Sequence, residues 1–224
     1  MEKQVFSRRK ILFENLENCG FIRTKEGYFL EKEILPAMLA QVFISRSGDL
    51  SGRIFDTEIK EPYTLFRDPS AQGAFVMGVK NAYYSFLTEL VEKISVPKAY
   101  ISDQANWVNW FIKDRFNVSA EYLWKKFPHF GVYRNIHSGK WFAIIMNISK
   151  GKLIKGESGE VEVMNLKTDD KSDYYIEKGA LPCYHMNQKS WVSVLLDGSL
   201  SNDLIEEMLE LSFLNSEKVK RKTK

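Results

Sequence analysis

Eight consecutive residues, Trp141-Phe142-Ala143-Ile144-Ile145-Met146-Asn147-Ile148, leave almost no polar side to this stretch of chain. Turn signals bound it, His137-Ser138-Gly139 before and Ser149-Lys150-Gly151 after. A strand that is apolar on both faces has to be central in its sheet or covered on both sides. Residues 132–136 supply a strand ahead of it. Behind it, Leu153-Ile154 and residues 161–166 are expected to pair, with 156–159 as the loop tip. Asp169 or Asp170 caps a short helix that stops at Gly179. Residues 191–196 form a further strand, and Asp197-Gly198 turns the chain into a last helix capped by Ser201. Leu204, Met208 and Leu211 are that helix's buried stripe, and Asp203, Glu206 and Glu207 suit its positive end.

The first hundred residues carry similar elements. Val5, Ile11, Leu12 and Leu16 give a helical stripe over 3–18, stopped by Gly20. Residues 28–34 and 39–45 read as strands, and Ser47-Gly48-Asp49 turns the chain into a return strand over 53–59. Phe75, Val79, Ala82, Phe86, Leu90 and Ile94 recur every three or four residues, which predicts one helix over 73–94 with these on one face. Val96-Pro97-Lys98 is the boundary, because proline disfavours helix at the residue before it. Beyond it, Ser102 caps a helix carrying Trp107, Trp110 and Phe111, and Ser119 caps a short one through Lys126, ended by Pro128. The expected organisation is an N-terminal α+β domain or extension over 1–97, a second domain over 98–216 and a basic tail over 217–224. Strands segregated from helices make the fold class α+β, antiparallel sheets with flanking helices.

Composition excludes several classes. With 44% apolar residues, 15 Phe, 10 Tyr and 5 Trp, the chain has material for packed cores rather than disorder. No apolar run approaches the ~20 residues of a membrane span. Arg8, Arg9 and Lys10 precede Ile11-Leu12-Phe13, but Glu14, Asn15 and Glu17 interrupt an apolar stretch that a secretory signal would need over ~7 residues. Cys19 and Cys183 are too few for a disulfide framework or a zinc knuckle. Cytoplasm is the expected compartment, with both thiols reduced and no membrane partner. The net charge is +3, yet Lys218, Lys220, Arg221, Lys222 and Lys224 contribute +5, which leaves −2 for the rest. The tail reads either as a solubilising end or as a source of nonspecific DNA affinity.

From Ser102 to Ser216 the chain resembles the MmcQ/YjbR family. The resemblance rests on Lys140-Trp141-Phe142-Ala143 and on Asn165-Leu166-Lys167 with Asp169. It continues through Leu181-Pro182-Cys183-Tyr184-His185-Met186-Asn187, Lys189 and Trp191, and ends at Ser212-Phe213, where the family usually has Ser-Tyr. The first hundred residues resemble the N-terminal extension of longer members. The resemblance implies a C-terminal double-wing, frataxin-like domain with two protruding hairpins, and a bacterial DNA-binding protein. That functional label rests on shape, and a fold alone does not establish function. Cys183 stands where members usually have a small residue, a change that packing tolerates.

The residues themselves narrow the chemistry. Gly151-Lys152-Leu153-Ile154-Lys155-Gly156 has the glycine spacing of a phosphate loop, but Glu157-Ser158 follow where the essential lysine belongs. His129, His137 and His185 have no ligand spacing, so neither metal nor cofactor is expected. Cys183 and His185 would share a face in a strand, the geometry of a thiol and its base. Their apolar neighbours favour a buried structural thiol instead. His185, Asn187 and Lys189 also share parity, and an extended segment would present all three to bases or phosphates together, with Lys167 beside them. The plainer alternative puts Asn187 and Lys189 in a turn and His185 in a buried hydrogen bond. Arg134, His137 and Lys140 lie at one hairpin and Lys150, Lys152 and Lys155 at the next. They serve DNA as β-ribbon wings, or they serve only to protect an edge hairpin from aggregation. The expected function is DNA binding without catalysis, through these hairpins and the His185 segment. The alternatives are a protein-interaction or small-ligand regulatory module, and an enzyme built on Cys183 or His185.

Overall fold

The computed structural model describes residues 1–217. The expected tail lies outside them apart from Glu217, which ends the last helix. The chain forms two compact units, Met1–Lys98 and a second that begins at Ala99.

The first unit runs α1 (Glu2–Val5), β1 (Arg9–Ile11), α2 (Phe13–Leu16), β2 (Ile22–Arg23), β3 (Gly27–Leu35), β4 (Met38–Ser45), β5 (Leu50–Asp56), β6 (Glu61–Tyr63), α3 (Ala74–Ile94) and β7 (Ser95–Pro97). Strands β2 to β6 make an antiparallel meander in chain order. Strict alternation in β4 buries Met38, Ala40, Val42 and Ile44, which pack with Val79, Tyr83, Phe86, Leu87, Leu90 and Ile94 of α3. Phe75, expected on that face, is 57% exposed at the start of the helix.

The single helix expected over 3–18 is not there. Arg8 adopts a left-handed conformation, φ 56°, and β1 pairs with β7, Arg9 opposite Pro97. The reason lies in Arg9. Its guanidinium donates to the Val91 carbonyl and to Ser95 Oγ, so it satisfies the orphan carbonyls at the C-terminal end of α3. The strand expected over 53–59 is instead Leu50–Asp56, and Ile59 sits exposed in the following turn.

The second unit runs α4 (Asp103–Phe116), β8 (Glu121–Tyr122), β9 (Gly131–Arg134), β10 (Trp141–Ser149), β11 (Glu160–Lys167), α5 (Ser172–Glu177), β12 (Leu181–Pro182), β13 (Trp191–Leu195) and α6 (Asn202–Glu217). Its six strands form one antiparallel sheet in the order β12-β13-β11-β10-β9-β8. The α+β class holds in both units. Ser102 Oγ accepts the Ala105 N–H and caps α4.

The apolar strand β10 is central, as its sequence demands. Ala143 and Ile145 join Tyr133, Met164, Leu166, Val192 and Val194 beneath α4, α5 and α6. Ile144, Met146 and Ile148 join Val132 and Val163 on the opposite, outer face. Two expectations fail near it. Residues 119–126 form no helix, because Glu121 and Tyr122 pair as an edge strand with Val132 and Gly131. Leu153-Ile154 do not pair with β11. They lie in a turn whose N–H groups donate to the Lys150 carbonyl, and β10 itself takes the place beside β11.

Candidate nucleic-acid interface

Among the described residues no α-helix packs on the outer face of the second sheet. Trp124, Phe130, Trp141, Leu153, Tyr184 and Met186 cover it from loops and strand ends. Trp124 and Trp141 meet edge to face at 5.9 Å, and Phe127 stacks on Phe130 at 4.7 Å. Cations ride on these rings: Lys126 lies 5.7 Å from Phe127, Arg134 5.4 Å from Trp141 and Lys152 5.6 Å from Tyr184. Phe127 remains 44% exposed, so part of this aromatic layer faces solvent.

Charge is divided across the sheet. Residues 121–160, which border or cover the outer face, hold seven Lys or Arg against three Asp or Glu. On the helical side, α6 holds five acidic residues and no basic one, and residues 169–178 hold four acidic and two basic. Lys126, Arg134 and Lys152 thus place positive charge on the outer layer, while the acidic α5 and α6 pack on the opposite face.

The ten residues singled out from sequence separate into distinct settings. The two hairpins lie at opposite ends of nine-residue β10, roughly 27 Å apart. At the first, Arg134 is ion-paired with Glu121 at 2.9 Å. His137 is exposed, with its ring 6.4 Å from Phe213, and Lys140 is exposed. The tip is pinned, since Asn135 donates to the Phe213 carbonyl and accepts from the His137 and Ser138 N–H groups. At the second, Lys150 lies 3.6 Å from Glu157, Lys152 sits on Tyr184, and Lys155 is exposed.

Lys167 turns toward α6, where its ammonium pairs with Asp169 and reaches the Asn215 carbonyl. It is held by the helical side and does not join the outer face.

The segment 185–189 is not extended, so shared parity does not align it. His185 takes a left-handed conformation, φ 61°, and Asn187 accepts the Lys189 N–H in a turn. The turn reading was therefore right for Asn187 and Lys189, but His185 is exposed rather than buried. Strand residues fix the loop: the Tyr184 N–H donates to Ser193 Oγ at 2.9 Å and Asn165 Nδ2 donates to the Tyr184 carbonyl at 2.7 Å. Tyr184 is thereby laid over the sheet and the His185 ring, 4.0 Å from it, faces out. Lys152 joins this loop to the second hairpin.

Cys183 is 3% exposed, and burial pushes its thiol up to about 11. Both are what a packing thiol shows, and neither favours the thiolate. No group of three His, Cys, Asp or Glu able to hold a metal occurs among the described residues. A cavity of about 340 Å³, lined by Ile101, Ser102, Glu160, Glu162, Leu196 and Asp197, is acidic. Among the described residues no helix is long and apolar enough to cross a membrane.

Sequence reasoning missed Lys125, Lys126, Phe127 and Tyr184 as surface residues. The signal was present in Tyr122-Leu123-Trp124-Lys125-Lys126-Phe127, where aromatic and basic residues interleave, but it was read as a helix.

Three comparisons place this unit among known proteins. The YjbR family model matches residues 116–215. The uncharacterized protein YyaQ of Bacillus subtilis (strain 168) is 31% identical over 104 residues, 46% of this chain and 88% of that protein. A crystal structure of a Pseudomonas syringae protein, 29% identical, superposes with a TM-score of 0.47 over 49% of this chain and 96% of that one. A solution NMR structure of a protein from Pseudomonas syringae gives 27% identity and a TM-score of 0.46, over 54% and 97%.

Proposed function

Since the chain belongs to the YjbR family, we propose that its second unit binds DNA, without catalysis, on the outer face of its sheet. One observation carries this reading: Lys126, Arg134 and Lys152 sit on aromatic rings of the outer layer, whereas α5 and α6, rich in acidic residues, pack on the other face. Phosphates are drawn to such a face and repelled from the helices. The hairpins contribute unequally. Lys152 and Lys155 are exposed at the second, whereas Arg134 at the first is already paired with Glu121.

Binding of the full chain to labelled DNA between about 50 and 200 mM salt tests this. Lys152→Glu with Lys155→Glu should weaken binding about tenfold or more and flatten the salt slope. Lys171→Glu with Lys178→Glu, the same charge change on the helical side, should leave it unaltered. Replacing the five tail cations by Gln separates the tail from the face. Binding that vanishes with the tail and ignores Lys152 and Lys155 rejects the proposal.

A further inference from the structure

Resting on that reading, we infer that the outer face takes single-stranded nucleic acid. Bases stack on Tyr184 and Phe127, and Lys152 and Lys126 hold the adjoining phosphates.

The pairing of rings with cations is the first ground. Phe127 with Lys126 and Tyr184 with Lys152 each set an aromatic face beside an ammonium at 5.7 and 5.6 Å. Phe127 connects through Phe130 and Trp124 to Trp141, and Trp141 and Tyr184 pack against the same outer cluster. Aromatic platforms beside cations that track the backbone bind single strands with little regard to sequence, because every base has a π-face.

Shape is the second ground. The major groove, about 12 Å wide, admits a helix or a two-stranded ribbon. The basic side offers neither. Helices α4, α5 and α6 all pack on the other face. The sheet itself is roughly 24 Å across, too broad to enter a groove. The second hairpin is folded back on itself: the Lys150 N–H donates to the Gly159 carbonyl, the Leu153 and Ile154 N–H groups to the Lys150 carbonyl, and the Glu157 N–H to the Ile154 carbonyl. It is a compact knob and not a protruding ribbon. The first hairpin's tip is tied to α6 through Asn135.

The His185 loop is the third ground. A non-glycine residue in the left-handed region is strained and persists only where its surroundings impose it. Here Ser193 and Asn165 impose it from the strands. The result is an imidazole held outward next to the Tyr184 ring, in reach of a base stacked there.

Affinities of the full chain for a labelled 20-mer of dT and for a 20-base-pair duplex decide the matter. The single strand should bind at least tenfold tighter and quench tryptophan fluorescence, since Trp124 and Trp141 underlie the site. Tyr184→Leu and Phe127→Ala should each cost about tenfold, and Tyr184→Phe, which keeps the ring, should bind as the wild type does. A duplex that binds as tightly as dT overturns single-strand recognition. Aromatic variants that bind normally while Lys152→Glu with Lys155→Glu does not would overturn stacking and leave the DNA-binding reading intact. Failure of both probes overturns both readings. Competition by poly-glutamate equal to that by dT overturns the nucleic-acid assignment in favour of an acidic polypeptide.

Discussion

The hydroxyl of Tyr100 occupies the space that a β-carbon on Gly131 would need, 1.9 Å from it. That hydroxyl meets Tyr133 Oη at 2.9 Å, and Tyr133 donates onward to Asn109. Residue 100, helix α4 and strand β9 are thus fastened by a buried chain of polar groups that closes only if position 131 has no side chain. The first unit repeats the device, with Gly52 against the Tyr83 hydroxyl, also at 1.9 Å.

Gly131→Ala should therefore destabilise the second unit by about 2–3 kcal/mol, through overpacking and a broken buried network. The clash is with one oxygen, so Tyr100→Phe in the same chain should recover a large part of the loss. Urea unfolding followed by tryptophan fluorescence reads this unit alone, because all five Trp lie beyond residue 98. If the double variant is as unstable as the sum of the singles, the steric explanation is wrong.

Glu162 is a buried carboxylate with a structural task. It accepts the Ile101 N–H, the Ser102 N–H and the Ser102 hydroxyl, each at 2.8 Å, at the positive end of α4. Glu162→Gln keeps the size but loses the charge and places a donor where donors already converge. We expect a loss of roughly 2 kcal/mol in the same urea titration. A midpoint equal to wild type would show that the contacts at the start of α4 add nothing.

What was legible in the sequence, and what was not, follows from which interactions are local. Strand β10 announced itself because both its faces are apolar, and α3 because its buried stripe continues from Val79 to Ile94. Ser102 was readable as a cap because capping acts within four residues. Residues 9–11 were not readable, since their strand pairs with 95–97 far along the chain. Residues 119–126 failed in the same way, their edge pairing with β9 outweighing local helical preference. The candidate site suffered most. Parity put His185, Asn187 and Lys189 on one face, but the left-handed turn at His185 removes the alternation on which parity depends. Lys167 looked available until Asp169 and Asn215 claimed it. The division of charge across the sheet could be seen only once the loops and helices were assigned to opposite faces.

The two thiols should separate cleanly in a labelling experiment. Cys19 is half-buried and Cys183 buried, and burial pushes the Cys183 thiol up to about 11. At pH 8 the native protein should react rapidly at a single thiol, Cys19, and at Cys183 only as the second unit unfolds. Peptide mapping after brief alkylation gives the answer. Rapid modification of native Cys183 would reopen the case for a nucleophile paired with His185.

The first unit should show its own acid sensitivity. Burial alone would raise the Glu2 carboxyl, but hydrogen bonds from Arg67, from its own backbone and from Tyr83 outweigh that and hold it at about 2. A carboxylate whose folded pKa lies below its unfolded value stabilises the fold above the unfolded value, near 4.5, and stops doing so as the pH falls through about 2. The contribution at neutral pH is up to roughly 3 kcal/mol. Glu2→Gln should lower stability at pH 7 by an amount of that order and flatten its decline between about pH 5 and 2. Far-UV ellipticity in urea must be used, since the first unit contains no tryptophan. A variant whose acid limb stays as steep as wild type would place the acid-labile carboxylate elsewhere than the Glu2–Arg67–Tyr83 network.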